Sequence, residues 1–138
     1  MFIWRISKYT DLTGRGGLAA SGRWHNRPKA VVYCADEIQT AYAEILRQFH
    51  LPALIPSDFK LLKIECPPFV EVEVVNPSDL DPSWDSDTVG WRTCRPIGDD
   101  WLRSGRSALL KVPSAARAGS FNYLLKSGRL ASRRRQCC

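Results

Sequence analysis

Apolar and polar positions along the chain fall into short stretches with different periods. Residues 2–6 are apolar-rich and read as a short strand, and residues 10–21, interrupted by Gly14, Gly16 and Gly17, read as a flexible loop. Residues 30–35 form an unbroken, partly β-branched apolar run carrying Tyr33, as a buried strand requires. Asp36 then stands at a helix start, with Gln39 three residues on in the capping-box position. Ile38, Ala41, Tyr42, Ile45, Leu46 and Phe49 recur at helical spacing and predict an amphipathic helix whose apolar stripe faces a core; Pro52 and Pro56 end it.

Residues 60–66 and 70–74 are two further predicted strands separated by Pro67-Pro68, the second alternating cleanly enough to have one face in solvent. Residues 76–87, rich in Pro, Ser and Asp, predict a loop. Trp84, Trp91 and Trp101 are expected to plug the edge of the core. Gly98-Asp99-Asp100-Trp101 marks the start of a short helix, and residues 108–112 predict another buried strand closing on Pro113-Ser114-Ala115. Beyond Leu125 the apolar content collapses. The expected organisation is one domain over residues 1–125, followed by a basic, mobile tail over 126–138.

Composition adds limits. A chain of 138 residues with 44% apolar content supports one core and leaves no room for a second domain of ordinary size. No window has the apolar length of a membrane helix and the first residues lack a signal-peptide pattern, so a cytoplasmic location is expected. Five cysteines without Cys-x-x-Cys spacing suggest reduced thiols, and two separated histidines suggest no metal site. The net charge of +6 resembles a nucleic-acid signal until it is located. Lys126, Arg129, Arg133, Arg134 and Arg135 carry most of that excess, and the body is nearly neutral.

Several pieces, in order, carry a resemblance: Trp4-Arg5-Ile6; Gly22-Arg23-Trp24-His25-Asn26; Tyr33 followed by a helix with Ala41 and Glu44; Gly98-Asp99-Asp100-Trp101; and Leu110-Lys111-Val112-Pro113-Ser114-Ala115 with Asn122-Tyr123-Leu124-Leu125. Together they resemble the RES domain family of bacterial toxins that degrade NAD. Where that family continues Asn-Pro-x-His after the last run, this chain has Lys126-Ser127-Gly128-Arg129, a departure at its C-terminal end. The resemblance implies an α+β fold like that of ADP-ribosyltransferases, a single domain with a split mixed sheet around a nicotinamide pocket. It also implies NAD as substrate with no further cofactor, a cognate helix-turn-helix antitoxin that blocks the pocket, and growth arrest through NAD loss. A homodimer is compatible with such a toxin, but no stripe in the sequence demands one.

Cleavage between ribose and nicotinamide passes through an oxocarbenium-like state that a carboxylate stabilises, and the resemblance assigns this to Glu44. Periodicity alone instead puts Glu44 with Glu37, Thr40 and Arg47 on the face opposite the apolar stripe, where a glutamate is ordinarily solvated. Arg23, flanked by Gly22, would hold pyrophosphate or ribose through its planar fork, or is a surface arginine in a turn. Arg5 would reach the same phosphates or form a structural ion pair. Tyr33 offers a ring face and a hydroxyl to nicotinamide or ribose, or is a core tyrosine; Ser114 would bond the carboxamide or ribose, or cap a turn. Asn26 and Asn122 would contact the carboxamide or shape turns.

Two other functions fit parts of the sequence. One is ADP-ribosyl transfer to a protein target; the other is a non-catalytic nucleic-acid-binding module using the basic tail, which the neutral body and the lack of an aromatic ladder speak against. A serine-hydrolase reading fails for want of a Gly-x-Ser-x-Gly elbow.

Overall fold

Seven strands form one mixed sheet, in a computed structural model that describes residues 1–128 and the backbone of 133–137. In chain order the elements are β1 (Phe2–Ser7), α1 (Arg15–Ala19), β2 (Val31–Ala35), α2 (Ile38–Phe49), β3 (Lys60–Glu65), β4 (Val72–Val74), α3 (Trp91–Ser104), β5 (Leu109–Pro113), β6 (Phe121–Lys126) and β7 (Arg133–Cys137). The strand order is β4-β5-β6-β2-β1-β3-β7. All neighbours are antiparallel except β4 and β5.

The sheet is nearly split in its middle. β2 pairs with β6 from Val31↔Lys126 to Ala35↔Asn122, and β1 pairs with β3 along its whole length, but β1 and β2 share only Trp4↔Ala35. Past that pair the two strands diverge. The expected split mixed sheet is therefore present.

Two apolar clusters pack on opposite faces, as the side-chain period of two along each strand dictates. Val32, Cys34, Ile3, Ile64, Leu109 and Leu125 belong to one; Val31, Leu110, Val112 and Leu124 join Trp24 and the α3 residues Cys94 and Trp101 in the other. Of the three tryptophans expected at the core edge, Trp101 is fully buried, with Nε1 donating to Ser107 Oγ at 2.9 Å. Trp84 packs on the periphery of that cluster and Trp91 is exposed.

Several sequence expectations need correction. The residues read as a short helix at Gly98 lie in the second half of α3, a 14-residue helix that contains Pro96 and Gly98. Those two residue types ordinarily break helices, and here packing of Cys94 and Trp101 overrides them. Glu37, not Asp36, is the N-cap residue of α2, and no side chain caps it. Asp36 instead accepts the Phe121 amide at Oδ2, 3.0 Å. The glycine-rich loop holds the short helix α1, and the strand expected over 70–74 is reduced to Val72–Val74. Within the segment expected to be a mobile tail, Lys126 ends β6 and Arg133–Cys137 extends the sheet as an edge strand on β3, from Glu65↔Arg133 to Leu61↔Cys137. An edge strand is held by main-chain hydrogen bonds, so its lack of apolar content gives no warning. The other tail residues, 129–132 and 138, lie outside the described residues.

Helix α2 is also turned from its expected setting. Thr40, Ala41 and Ile45 are its buried residues, whereas Ile38 and Tyr42 of the apolar stripe are about 40% exposed. The rotation follows from polar partners waiting under it: Thr40 Oγ1 accepts from Arg117 Nη1 at 3.0 Å, and Glu44 finds two donors. Apolar periodicity locates a buried face only where burial is apolar.

Candidate active site

The divergence of β1 and β2 opens a cavity of about 600 Å³, a size suited to a small ligand. Its walls come from β1 (Arg5), the Gly22–Arg23 turn, β2 (Tyr33), α2 (Glu44) and β6 (Asn122). Five separate stretches thus meet where the sheet is incomplete.

Glu44 is the only carboxylate among the lining residues and is held on one oxygen. Ser114 Oγ donates to its Oε1 at 2.8 Å and Asn122 Nδ2 donates to the same atom at 2.7 Å. Both donors are buried. No described residue donates to Oε2. An acceptor-only group pinned at one oxygen presents the other, with its charge, in a fixed direction. The solvated-face expectation for Glu44 is therefore wrong, and the reason lies 70 and 78 residues away in sequence. Ser114 is also the turn serine foreseen for it, its hydroxyl oxygen accepting the amides of Ala116 and Arg117 at 3.2 and 3.1 Å, while its proton goes to a partner not foreseen, Glu44.

Two arginines supply positive charge. Arg5 is half-buried beside the cavity and makes no hydrogen bond or ion pair to a described residue. Burial lowers its pKa, with Cys34, Asp11 and Tyr9 acting the other way, and an arginine so placed stays charged at neutral pH. The structural ion pair considered for it is absent among the described residues. Arg23 spends Nη1 on the carbonyls of Trp84 and Ser86, at 2.7 and 3.1 Å, and lines the cavity. Cys34 also borders the cavity, but burial pushes its thiol up to about 12, which leaves it a poor nucleophile near neutral pH.

Tyr33 has the satisfied hydroxyl of a core tyrosine, one of the two readings open to it. Its hydroxyl accepts the Trp24 amide at 3.1 Å and lies 2.7 Å from His25 Nδ1. His25 Nε2 faces the Gly17 carbonyl at 3.0 Å, so that nitrogen carries the proton; Nδ1 then accepts, from Tyr33 and from the Gly22 amide at 3.2 Å. The phenol proton is thereby committed, and burial pushes the phenol far above its ordinary range. Tyr33 offers the cavity its ring and not its hydroxyl. Gly22 is needed for this packing, since a Cβ there would stand 2.6 Å from Tyr33 Cζ. Its own carbonyl is held by Arg95 Nε at 2.8 Å.

Asn26 is not brought to the cavity. Its amide and Nδ2 bond the two oxygens of Asp99 on α3, at 3.0 and 2.7 Å, which makes it a tie between the turn and that helix. Although burial works against it, hydrogen bonds from Asn26 and from Lys29 hold the Asp99 carboxyl below its usual range. The sequence reading also missed His25 and Arg95 as supports of the site. The one signal available was the position of His25 inside the same five-residue motif as Arg23.

Burial lowers the His25 pKa; the Gly17 hydrogen bond and Asp99 oppose this, and Lys29 and Arg95 add to it. The unfolded chain then binds a proton near pH 6.5 that the folded chain holds more weakly. Stability is expected to fall as the pH drops through about 6.5 toward the folded value, and His25→Gln should flatten that part of the profile. Urea midpoints measured across this window check it; a His25→Gln slope equal to the parent's would refute the assignment.

The RES domain model matches residues 2–136. The chain belongs to the RES domain family. Among curated relatives, "Toxin Res" of Pseudomonas putida is 39% identical over 125 residues, covering 90% of this chain and 83% of that protein. The "Prs ADP-ribosylating toxin" of a Sphingobium species is 33% identical, covering 89% of this chain and 80% of its own length. The M. tuberculosis MbcT–MbcA toxin–antitoxin complex contains a chain with the same fold at TM-score 0.75 and 18% identity, spanning 99% of this chain and 83% of its own. Within this RES domain, the turn carrying Arg23, the strand carrying Tyr33 and the helix carrying Glu44 share one cavity.

Proposed function

We propose that the chain is the toxin of a toxin–antitoxin pair and that it breaks the nicotinamide–ribose bond of NAD. The observation that carries this reading is Glu44, a lone carboxylate in a cavity with two arginines, fixed by Ser114 and Asn122 so that Oε2 stays open. As the bond breaks, its electron pair passes to the pyridinium nitrogen, which becomes neutral and leaves without needing an acid. Positive charge develops on the ribose, and Glu44 Oε2 stabilises it or holds a ribose hydroxyl. Arg5 and Arg23 take the pyrophosphate, and the Tyr33 ring packs on the nicotinamide or ribose. Water or phosphate then attacks the ribose carbon, water releasing a proton. NAD is a substrate here, and the chemistry calls for no further cofactor. Falling NAD in the cytoplasm would arrest growth, and a helix-turn-helix antitoxin would silence the toxin by covering the cavity.

The test is nicotinamide release from NAD by the purified, folded protein, with Arg23→Ala beside it. Release matching NAD loss in the parent and reduced in the variant is expected. A folded parent that leaves NAD intact would falsify the reading. A second reading, transfer of ADP-ribose to a protein, is favoured by the relative named an ADP-ribosylating toxin. Adenylate-labelled NAD separates the two: label appears in protein in one case and in free ADP-ribose or its phosphate in the other.

A further inference from the structure

Arg23, which lines the cavity, already faces an anion supplied by the protein itself. Arg23 is anchored through Nη1 on the carbonyls of Trp84 and Ser86, and its Nη2 lies 3.9 Å from Oδ1 of Asp87. The same oxygen is ion-paired with Arg47, which sits on α2 about one turn beyond Glu44. Asp87 thus bridges two guanidinium groups from different parts of the fold, although its own side chain is 74% exposed. The two arginine side chains are much less exposed, at 20% and 27%.

This asymmetry bears on what the pair is for. Carbonyls, and not Asp87, position Arg23, and an exposed carboxylate on an arginine contributes little to stability. Guanidinium groups converging from two elements form the donor set that grips a phosphate, and a carboxylate is its nearest chemical stand-in among side chains. Asp87 follows Trp84 and Ser86 in the loop whose carbonyls hold Arg23, so it can leave Arg23 and Arg47 without loss of that anchor.

We infer that Arg23 and Arg47 form a phosphate subsite at the edge of the cavity, and that Asp87 occupies it in the free protein and is displaced by the pyrophosphate of a dinucleotide. The identity of the ligand as a nucleotide rests on the NAD reading above; the existence of the subsite does not. Arg47 becomes a ligand-binding residue and Asp87 a built-in competitor.

Calorimetric titration with inorganic pyrophosphate tests this without any reaction. Asp87→Asn is expected to bind pyrophosphate about 2- to 5-fold more tightly than the parent, the scale of one exposed ion pair. Arg47→Gln should bind about tenfold more weakly, as loss of a charge-assisted contact implies. In the Arg47→Gln background Asp87→Asn should gain much less than in the parent, since the competitor has lost one of its two partners. Asp85→Asn, which removes the same charge from a neighbouring exposed position, is expected to change little. Equal tightening by Asp85→Asn and Asp87→Asn would reduce the effect to overall charge and overturn the subsite, as would an unchanged Asp87→Asn affinity. ADP-ribose should displace pyrophosphate; failure to do so would overturn the nucleotide assignment. A protein that shows these affinities yet leaves NAD intact keeps the subsite and loses the activity, whereas NAD cleavage with no Asp87 effect does the reverse.

Discussion

Glu44→Gln is expected to lower nicotinamide release by about 10²- to 10³-fold, the usual effect of removing one preorganised electrostatic group, with the thermal midpoint close to the parent's. The substitution is chosen because the site tells the two atoms of the carboxylate apart. A glutamine oxygen can still accept from Ser114 and Asn122, so the supports just after β5 and on β6 keep their partner. Its amide nitrogen then takes the place of Oε2, and an anionic acceptor becomes a neutral donor facing the ribose. Shape is retained and charge is lost. Glu44→Asp probes the other half of the arrangement, because a side chain one methylene shorter cannot hold both donors and the same outward reach. Rates of nicotinamide release, read with circular dichroism melts on the same samples, decide it. A Glu44→Gln protein as active as the parent would remove Glu44 from the chemistry.

The second large effect concerns stability. Gly98 lies in α3 where the helix backbone rests directly on the main chain of Trp24; a Cβ at this position would overlap the Trp24 carbonyl oxygen. The obstacle is backbone and not the end of a flexible side chain, so neither partner can yield without moving an element. Gly98→Ala is expected to cost about 3 kcal/mol or more, at the top of the range for overpacking, a large share of a typical domain's total stability. Trp24 sits between Arg23 and His25, so the displaced segment is the one that carries both. Chemical denaturation gives the stability change, and pyrophosphate affinity reports whether Arg23 has moved. A Gly98→Ala midpoint equal to the parent's would show that the close approach of α3 to Trp24 is not what holds the turn.

Much of this architecture was open to reading along the chain. The run holding Tyr33, the helical spacing that follows it and the strands near residues 60–66 and 108–112 all correspond to observed elements, because burial of apolar side chains leaves a period in the sequence. The ordered pieces around Arg5, Gly22, Arg23, Tyr33, Glu44, Ser114 and Asn122 pointed to a shared site, and all but Asn26 among the candidate residues come to the cavity or to Glu44. Resemblance carried this step, since spacing alone left Glu44 in solvent.

What remained hidden was decided by partners far away in sequence. The setting of α2 depends on Ser114, Arg117 and Asn122, whose hydrogen bonds draw Thr40 and Glu44 inward beside the buried Ala41 and Ile45. Helix α3 forms through Pro96 and Gly98 because Cys94 and Trp101 bury against Trp24 and β5. Strand β7 is held by pairing with β3, which side-chain pattern does not encode. The Tyr33 hydroxyl is taken by His25, and Asn26 by Asp99. By itself the sequence determined which segments bury apolar surface and which residue types could do the chemistry. Only the tertiary structure decided where each polar group finds its partner, because hydrogen bonds are directional and short-ranged, and their partners here are brought together by the sheet and not by the chain.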